Sequence, residues 1–431
     1  MSKKVCMFVW NHFTNDARVF RECSALSEAG YEVDLVAIHD WKDEKLLLHE
    51  QHKNGFEVFR VKNRIPGLHK YAGKMKKLFV LGLVGLIMLL FLGIIPKNIL
   101  AIVSLPIFAI MAGIVFAMTK TKLPKLLTRA FIFFQMVHKG HSKRYDFYHS
   151  NDLNTLLQGV LSAKLFRRRK LIYDSHEVQT SRTGYNSRIY GIMERFLLRF
   201  VDEMIAENHT RAKYNENLYG IYPNVVHNYP IPSRPETSSE VNLHGLLGLP
   251  ETEPILLYQG GIQIGRGLEK IVDAVPLIER GTVVFIGDGR LKRDLERMVC
   301  VKGLSERVMF IPKVPVDELL HYTRNAYLGF QVLNNVCFNH YSASSNKLFE
   351  YMMSGVPVIA CSFPEIQKVV ENENIGICVD SHDPASIAEG VNYLLNHPAL
   401  RKVMSRNCLT AREKYNWMNE KQNFIDIYES A

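Results

Sequence analysis

The chain lacks the fingerprints of several common ligand-binding classes. No Gly-x-Gly-x-x-Gly follows its first apolar run, which passes instead into Trp10-Asn11-His12-Phe13-Thr14-Asn15-Asp16, and no Gly-x4-Gly-Lys-Ser/Thr occurs anywhere. A nicotinamide-type dinucleotide turn and a P-loop are therefore excluded. No Asp-x-Asp pair or His-Glu-x-x-His cluster is present to hold a catalytic metal. The seven cysteines (Cys6, Cys23, Cys300, Cys337, Cys361, Cys378 and Cys408) are odd in number, scattered, and never spaced as Cys-x-x-Cys. That pattern argues against a disulfide scaffold or structural zinc and for a reducing compartment. Glycine (27) and proline (17) are too ordinary for a fibrous chain, and 47% hydrophobic against 22% charged residues excludes global disorder. The run Val5 to Trp10 is too short for a signal peptide. What remains is a 431-residue globular chain, which at ~150 residues per core implies two or three domains.

The formal charge of +10 is local. Residues 119–170 hold twelve Lys or Arg against only Asp146 and Asp152, so the rest of the chain is balanced. Just before this window lie two apolar segments. Residues 78–95 (LFVLGLVGLIMLLFLGII) contain no charged side chain, and residues 99–118 (ILAIVSLPIFAIMAGIVFAM) carry only Ser104 as a polar one. As helices at ~1.5 Å per residue they reach about 27 and 30 Å, enough for a hydrocarbon core of ~30 Å. Pro96-Lys97-Asn98 turns between them, and the outer flanks are basic: Lys70, Lys74, Lys76 and Lys77 before, Lys120, Lys122, Lys125 and Arg129 after. The pair reads as a hairpin over 78–118 that enters a membrane and returns, with both ends on the cytoplasmic side. The bland alternatives are a buried helical pair in a soluble core, or a shallow hairpin. The basic window then meets anionic lipid or a lipid phosphate, with ordinary solvated surface as the competing reading.

Elsewhere short apolar runs alternate with helical patterns. Val5–Trp10 predicts a buried strand, Asp16–Ala29 a helix closed by Gly30, and Tyr31–Ala37 a second strand, which makes a βαβ unit. Further strands are expected at 56–61, 146–149, 170–174, 203–206 and 224–227. Residues 231–245, rich in Pro, Ser and charge, read as a linker. Beyond it, strands are expected at 255–259, 282–286, 307–311, 327–332, 357–361 and 376–379. Helices are expected at 266–279, 290–302, 316–325, 346–354 and 384–396, with more beyond 398. This alternation implies two doubly wound parallel sheets. The domains are placed at 1–230, 246–412 and a terminal helix at 413–431.

In such sheets ligands sit beyond the carboxyl ends of strands. Three loops of the second half fit that position. Gly260-Gly261 leads to Gly265-Arg266-Gly267, where glycine permits close backbone approach and Arg266 offers a forked cation. Gly287-Asp288-Gly289 turns from strand into helix. Ser344-Ser345-Asn346-Lys347 puts hydroxyl and amide caps at a helix start, whose free N–H groups and dipole favour a diphosphate. Three such loops together point to an anionic nucleotide.

At this point the residues resemble a known family. SNKLFEYMMSGVPVIACSFPEI is similar to the signature region of family-4-type glycosyltransferases, and NDARVFRECSALSEAGYEVDLV to their first βαβ unit. YDFYHSNDLN with LIYDSHE, GDGRLKRDLERM and YNWMNEKQNFIDIY resemble further segments, in order. The resemblance covers nearly all of the chain except about 63–140. It implies an α/β fold of two Rossmann-like domains facing a cleft (GT-B), here with an inserted hydrophobic helical hairpin in the N-terminal domain. It also implies a retaining, metal-independent transferase of the hexosyltransferase type, using a nucleoside-diphosphate sugar as co-substrate and no other cofactor.

Residue by residue, the resemblance places Glu350 on the nucleotide ribose, with Ser342 standing where the family has its first glutamate; Asn339, His340 or backbone amides are the substitutes. Arg266 takes a phosphate-binding lysine position, Gly261 replaces the preceding arginine, and Lys347 is the candidate to help. His176 faces the reacting sugar. Donor binding is assigned to Gly260, Gly261, Arg266, Gly287, Asp288, Gly289, Ile311, Ser345, Asn346, Lys347, Leu348 and Glu350. Catalysis is assigned to His176, Arg266, Lys347 and Glu350, and the acceptor side to Asn15, Asp16 and Arg18. The terminal helix is expected to cross back onto the first domain.

Bland readings stand beside these: a Lys347–Glu350 surface pair, a core His176, a turn-forming Asp288, and Arg266 as surface charge. The expected partners are a nucleotide sugar, a lipid-linked acceptor such as a polyprenyl-diphosphate glycan, and membrane lipid, with no nucleic acid. The expected location is the cell membrane, with the catalytic domains cytoplasmic. Competing functions are a catalytically silent scaffold or regulator, and a nucleotide-sugar epimerase of the same fold.

Overall fold

A computed structural model of the protein describes residues 2–67, 77, 80, 81, 84, 116, 121–165, 168–181, 188–232, 241–315 and 318–431. The expected hairpin over 78–118 lies almost wholly outside them. Among the described residues no helix is long and apolar enough to cross a membrane. Residues 233–240 of the expected linker also lie outside. The chain divides into two compact units, Met1–Ile172 and Tyr173–Ala431.

The first unit is built on β1 (Lys4–Phe8), β2 (Glu32–His39), β3 (His49–Gln51), β4 (Glu57–Lys62) and β5 (Phe147–Asn151), ordered β3-β4-β2-β1-β5. β1 pairs in parallel with both β2 and β5, setting Val5 opposite Val33 and Phe147. The connecting helix Ala17–Glu28 forms because Asp16 caps it, its Oδ1 accepting from Val19 N at 3.2 Å. Val19, Cys23 and Leu26 then fall on one buried face. The expected strand over Val5–Trp10 stops at Phe8. β3 is an addition: a polar antiparallel edge, held only by pairing with β4. A long helix, Leu123–Gly140, turns Ile132, Met136 and Gly140 inward and leaves Leu126 and Phe134 exposed.

β6 (Lys170–Ser175) carries the chain over the division. In the second unit β7 (Glu203–Ala206) pairs in parallel with β8 (Asn224–Val225). The second sheet comprises β9 (Ile255–Gln259), β10 (Thr282–Ile286), β11 (Val308–Ile311), β12 (Leu328–Gln331), β13 (Val358–Cys361) and β14 (Gly376–Val379). All its pairings are parallel, in the order β11-β10-β9-β12-β13-β14. Side chains alternate between two cores: Leu256, Tyr258 and Phe285 on one face, Ile255, Leu257 and Val284 on the other. Burial on both faces is why these strands read as unbroken apolar runs. The strand order reverses between β9 and β12, and a doubly wound sheet opens its ligand crevice at such a switch point.

The terminal helix Trp417–Ser430 is tied to the segment after β8. Trp417 N–H donates to Pro230 O, and the Glu420 carboxylate accepts from the backbone N–H of His227.

Candidate functional site

The loops after β9 and β12 meet at the switch point. β9 ends at the fully buried Gln259, and the chain then turns through Gly260 at φ +114°. Gly260 N–H donates to Ile286 O, and Gly287 N–H to Ile311 O. A side chain on Gly287 would overlap the Gly260 carbonyl, and one on Gly289 the Ile262 carbonyl. These glycines therefore let two loops interlock backbone to backbone. Asp288 closes the turn, its Oδ1 accepting from Gly289 N–H at 2.7 Å, and Ile311 contributes a carbonyl already bonded to Gly287. The turn-forming reading of Asp288 is the one the geometry supports. Gly261 is exposed, and its carbonyl accepts from the Tyr258 hydroxyl.

Arg266 stands on the loop rather than in a helix. The expected helix over 266–279 starts only at Leu268, because Gly267 takes φ +73° as its N-cap. Glycines on both sides press this loop against the segment after β12, where Gly265 O accepts from Asn334 N–H. Arg266 is half-buried and makes no hydrogen bond or ion pair among the described residues.

Across the loop, the helix Asn346–Met353 points its N-terminus at the same place. Ser345 occupies the N-cap position, but the expected cap does not form. Its hydroxyl donates to Gln331 Oε1 at 3.0 Å, and the Asn346 amide oxygen accepts from Asn228. The first turn is left without a side-chain cap, so its amides and the helix dipole remain open to an anion. Lys347 is half-buried under the glycine loop, with its ammonium 5.4 Å from the Tyr258 ring centroid. Burial and the nearby Arg266 charge pull its pKa down to about 7, with Glu350 opposing. The next residue, Leu348, packs into the core.

Glu350 is no surface partner of Lys347. Its Oε2 accepts from Gln259 Nε2 at 2.7 Å, while Gln259 Oε1 accepts from the Thr323 hydroxyl. His340 lies against Gly265, and burial together with Arg266 lowers its pKa.

His176 is half-buried and paired through Nε2 with the buried carboxylate of Asp174 at 3.2 Å. Its backbone carbonyl accepts from Arg211, whose guanidinium also reaches Asn339 O and Ser342 Oγ and pairs with Glu207. Ser342 is fully buried and gives its own proton to Phe338 O. Asn339, one of the expected substitute contacts, is engaged with Val178 and Ser181. In the first unit, Asp16 is occupied as a helix cap and Arg18 by an ion pair with Glu22 at 3.0 Å; Asn15 is exposed.

The structure thus gathers Gly260, Arg266, Lys347, Glu350 and the 345–348 amides around the switch point. It adds three residues that the sequence reading missed. Gln259 and Gln331 are the polar ends of β9 and β12, and the Gln331 side-chain nitrogen is buried without a hydrogen-bond partner among the described residues. Their signal was position, as the last residue of an apolar strand. Arg211 carried no signal, since in sequence it is one cation on a polar helix.

Comparisons with known proteins agree with this frame. Residues 242–409 match the family model described as "Glycosyl transferases group 1". A D-inositol 3-phosphate glycosyltransferase of Xylanimonas cellulosilytica is 26% identical over 246 residues, 53% of this chain and 57% of the relative. An uncharacterized glycosyltransferase of Methanocaldococcus jannaschii is 26% identical over 196 residues, 44% of this chain and 49% of the relative. The chain thus spans about half the length of the curated relatives it matches. Among solved structures, sucrose-phosphate synthase of Thermosynechococcus elongatus superposes with a TM-score of 0.74 at 17% identity, covering 99% of this chain and 98% of that one. Anabaena HepE, solved with UDP and glucose, gives 0.70 at 15% identity with 100% of both chains covered. The fold is GT-B, and the match to the group 1 model falls within its second unit.

Proposed function

We propose that this chain is a group 1 glycosyltransferase that moves a sugar from a nucleoside-diphosphate donor to a lipid-linked glycan acceptor at the cytoplasmic face of a membrane, in the building of a surface polysaccharide. The observation that carries the donor half is the meeting, at the switch point of the second sheet, of two cations and an uncapped helix N-terminus. Arg266 and Lys347 have no ion-pair partner among the described residues, and Glu350 stands one helical turn beyond Lys347 with one oxygen committed to Gln259. In this reading the diphosphate bridges the two cations and the 346–348 amides, and Glu350 accepts from the ribose hydroxyls. As the bond from sugar to phosphate breaks, charge grows on the leaving diphosphate. Fixed donors stabilise that charge with little reorganisation. His176, oriented by Asp174, is assigned to the reacting sugar. Anabaena HepE has been solved with UDP-glucose, which supports a uridine donor as the first to try.

The acceptor half rests on the 78–118 apolar run and its basic flanks. Val80, Leu81, Val84 and Phe116, the described apolar residues of that run, are exposed. A donor panel scored for nucleoside-diphosphate release, with membrane lipid extract as acceptor, tests the whole reading. Arg266→Ala and Glu350→Ala are each expected to lower turnover at least tenfold, about 1.4 kcal/mol of barrier. Unchanged kinetics in both would remove the donor site. Carbonate-resistant sedimentation with membranes is expected, and release into the supernatant would remove the anchor. A silent scaffold remains the second reading because Ser342 and Gly261 replace two charged family positions; diphosphate release with any donor decides against it.

A further inference from the structure

We propose that a pocket in the first unit, lined by Trp41, Arg64, Lys125 and Arg129, binds the diphosphate of a polyprenyl-type lipid. The inference rests on the lipid-linked acceptor reading and gives that acceptor a site. The cavity measures about 540 Å³, and Asn63 and Thr128 complete its polar lining, with Ile65 and Pro124 as apolar walls.

Three features fit a lipid phosphate. The first is unbalanced charge. Arg64, Lys125 and Arg129 are exposed, none has an ion-pair partner among the described residues, and no carboxylate lines the cavity. Other cations of the same basic window are already neutralised: Lys143 pairs with Asp34 at 2.9 Å and Arg169 with Asp146 at 3.6 Å. Three clustered cations repel one another and gain most from a multivalent anion, for which guanidinium forks are suited. The second feature is the Asn63 side-chain oxygen, buried without a hydrogen-bond partner among the described residues. Phosphate oxygens only accept, so this amide matches the ligand by turning its NH2 toward it; leaving a buried amide unmatched costs about 1–3 kcal/mol.

The third feature is continuity with an apolar phase. In sequence, two segments that line the pocket, 63–65 and 124–129, lie on either side of the 78–118 run. Leu126, next to Lys125, is 63% exposed, and Trp41 is 52% exposed with the Arg64 guanidinium 4.9 Å from its ring centroid. A half-exposed tryptophan against a guanidinium, with an exposed leucine next in sequence to a lining lysine, is the composition of a membrane–water boundary. A ligand with an anionic head and an apolar tail satisfies all three features at once, whereas free diphosphate satisfies only the first two.

The test uses the full chain in mild detergent carrying Lys347→Met, so that the nucleotide site does not compete for diphosphate. It is titrated by calorimetry with farnesyl diphosphate, with inorganic diphosphate and with farnesol. Farnesyl diphosphate is expected to bind at least tenfold more tightly than either fragment. Adding Arg64→Gln and Arg129→Gln, both on exposed side chains, is expected to weaken it at least tenfold with the melting temperature unchanged. Equal binding by that variant would overturn the site. Equal binding of inorganic diphosphate would overturn its lipid character. Displacement of farnesyl diphosphate by vesicles of phosphatidylcholine and phosphatidylglycerol (7:3) at matched phosphate would make it a general headgroup contact and overturn the proposal too. UDP binding to the chain with Lys347 intact is measured in parallel. Its absence would sink the donor reading while leaving the pocket standing, so the two failures are distinguishable.

Discussion

If Lys347 holds the diphosphate as proposed, nucleotide binding is a proton-coupled event. In the free protein its pKa lies at about 7, pulled down by burial first and by Arg266 second. The negative charge of a diphosphate placed against it outweighs both causes and returns the ammonium toward its ordinary value of ~10.4. At pH 8 only about a tenth of Lys347 is charged in the free site, so binding takes up about 0.9 proton; at pH 6 it takes up about 0.1. The affinity therefore falls as pH rises above 7, by up to tenfold or about 1.4 kcal/mol for each pH unit. The terminal phosphate of a nucleoside diphosphate, with a second pKa near ~6, is fully ionised at pH 8 and does not contribute. The other titratable groups facing Lys347 do not change charge there either. Burial pushes Tyr258 and Cys361 up to about 12 and about 11, and His340 is held below its usual range. The assay is calorimetry of UDP binding at pH 8 in buffers of different ionisation enthalpy. Lys347→Arg, whose guanidinium stays charged, is expected to abolish both the uptake and the pH slope. Zero uptake by the natural protein at pH 8, or the same uptake in Lys347→Met, would refute the placement of Lys347 on the diphosphate.

Two further expectations concern the frame of the site. Gly287→Ala forces a methyl into the Gly260 carbonyl, and at φ +149° the backbone is strained as well; a loss of about 2 kcal/mol or more is expected, read as a lower midpoint in urea. Arg211→Met leaves Glu207 without its ion pair and uncovers the acceptors at Asn339 O and Ser342 Oγ. The expected loss is about 3 kcal/mol, with a drop in turnover larger than the change in donor affinity, because His176 loses its backbone tether.

The second sheet was the most legible part of the chain. Ile255–Gln259 and Thr282–Ile286 are mainly apolar runs followed by glycine, and the expected bounds coincide with the strands to the residue. β3 was not legible, since His49-Glu50-Gln51 has no alternation and becomes a strand only through β4. Arg266 was found by type and resemblance but misplaced on a helix, because the left-handed conformation of Gly267 delays the helix start. The uncapped first turn at 346 ran against the local pattern. Ser345 has the right chemistry for a cap, but a buried acceptor, Gln331 Oε1, outcompetes the backbone for its proton. Sequence spacing cannot register a partner supplied by another strand. Arg211 was invisible for the same reason, as its partners His176, Asn339 and Ser342 are brought together only by folding.

The serine at 342 takes on a definite meaning in that network. A glutamate in a fully buried place needs a cation, and Arg211 lies within reach at 3.2 Å. Here that cation is already balanced by Glu207, one helical turn before it. Ser342 then completes the arginine's hydrogen bonds as a neutral acceptor, and no buried charge is left unpaired. A serine at this position thus leaves Arg211 balanced by Glu207 alone. His340, two residues before it, lies in the field of Arg266 and Lys347, so a carboxylate at 342 would add negative charge close to the proposed diphosphate site. Ser342→Glu should accordingly weaken UDP binding while lowering stability, since Glu207 and the new carboxylate would compete for a single guanidinium. The paired variant Ser342→Glu with Glu207→Gln should recover the stability and not the affinity. Recovery of both, or of neither, would show that charge balance at Arg211 is not what decides this position.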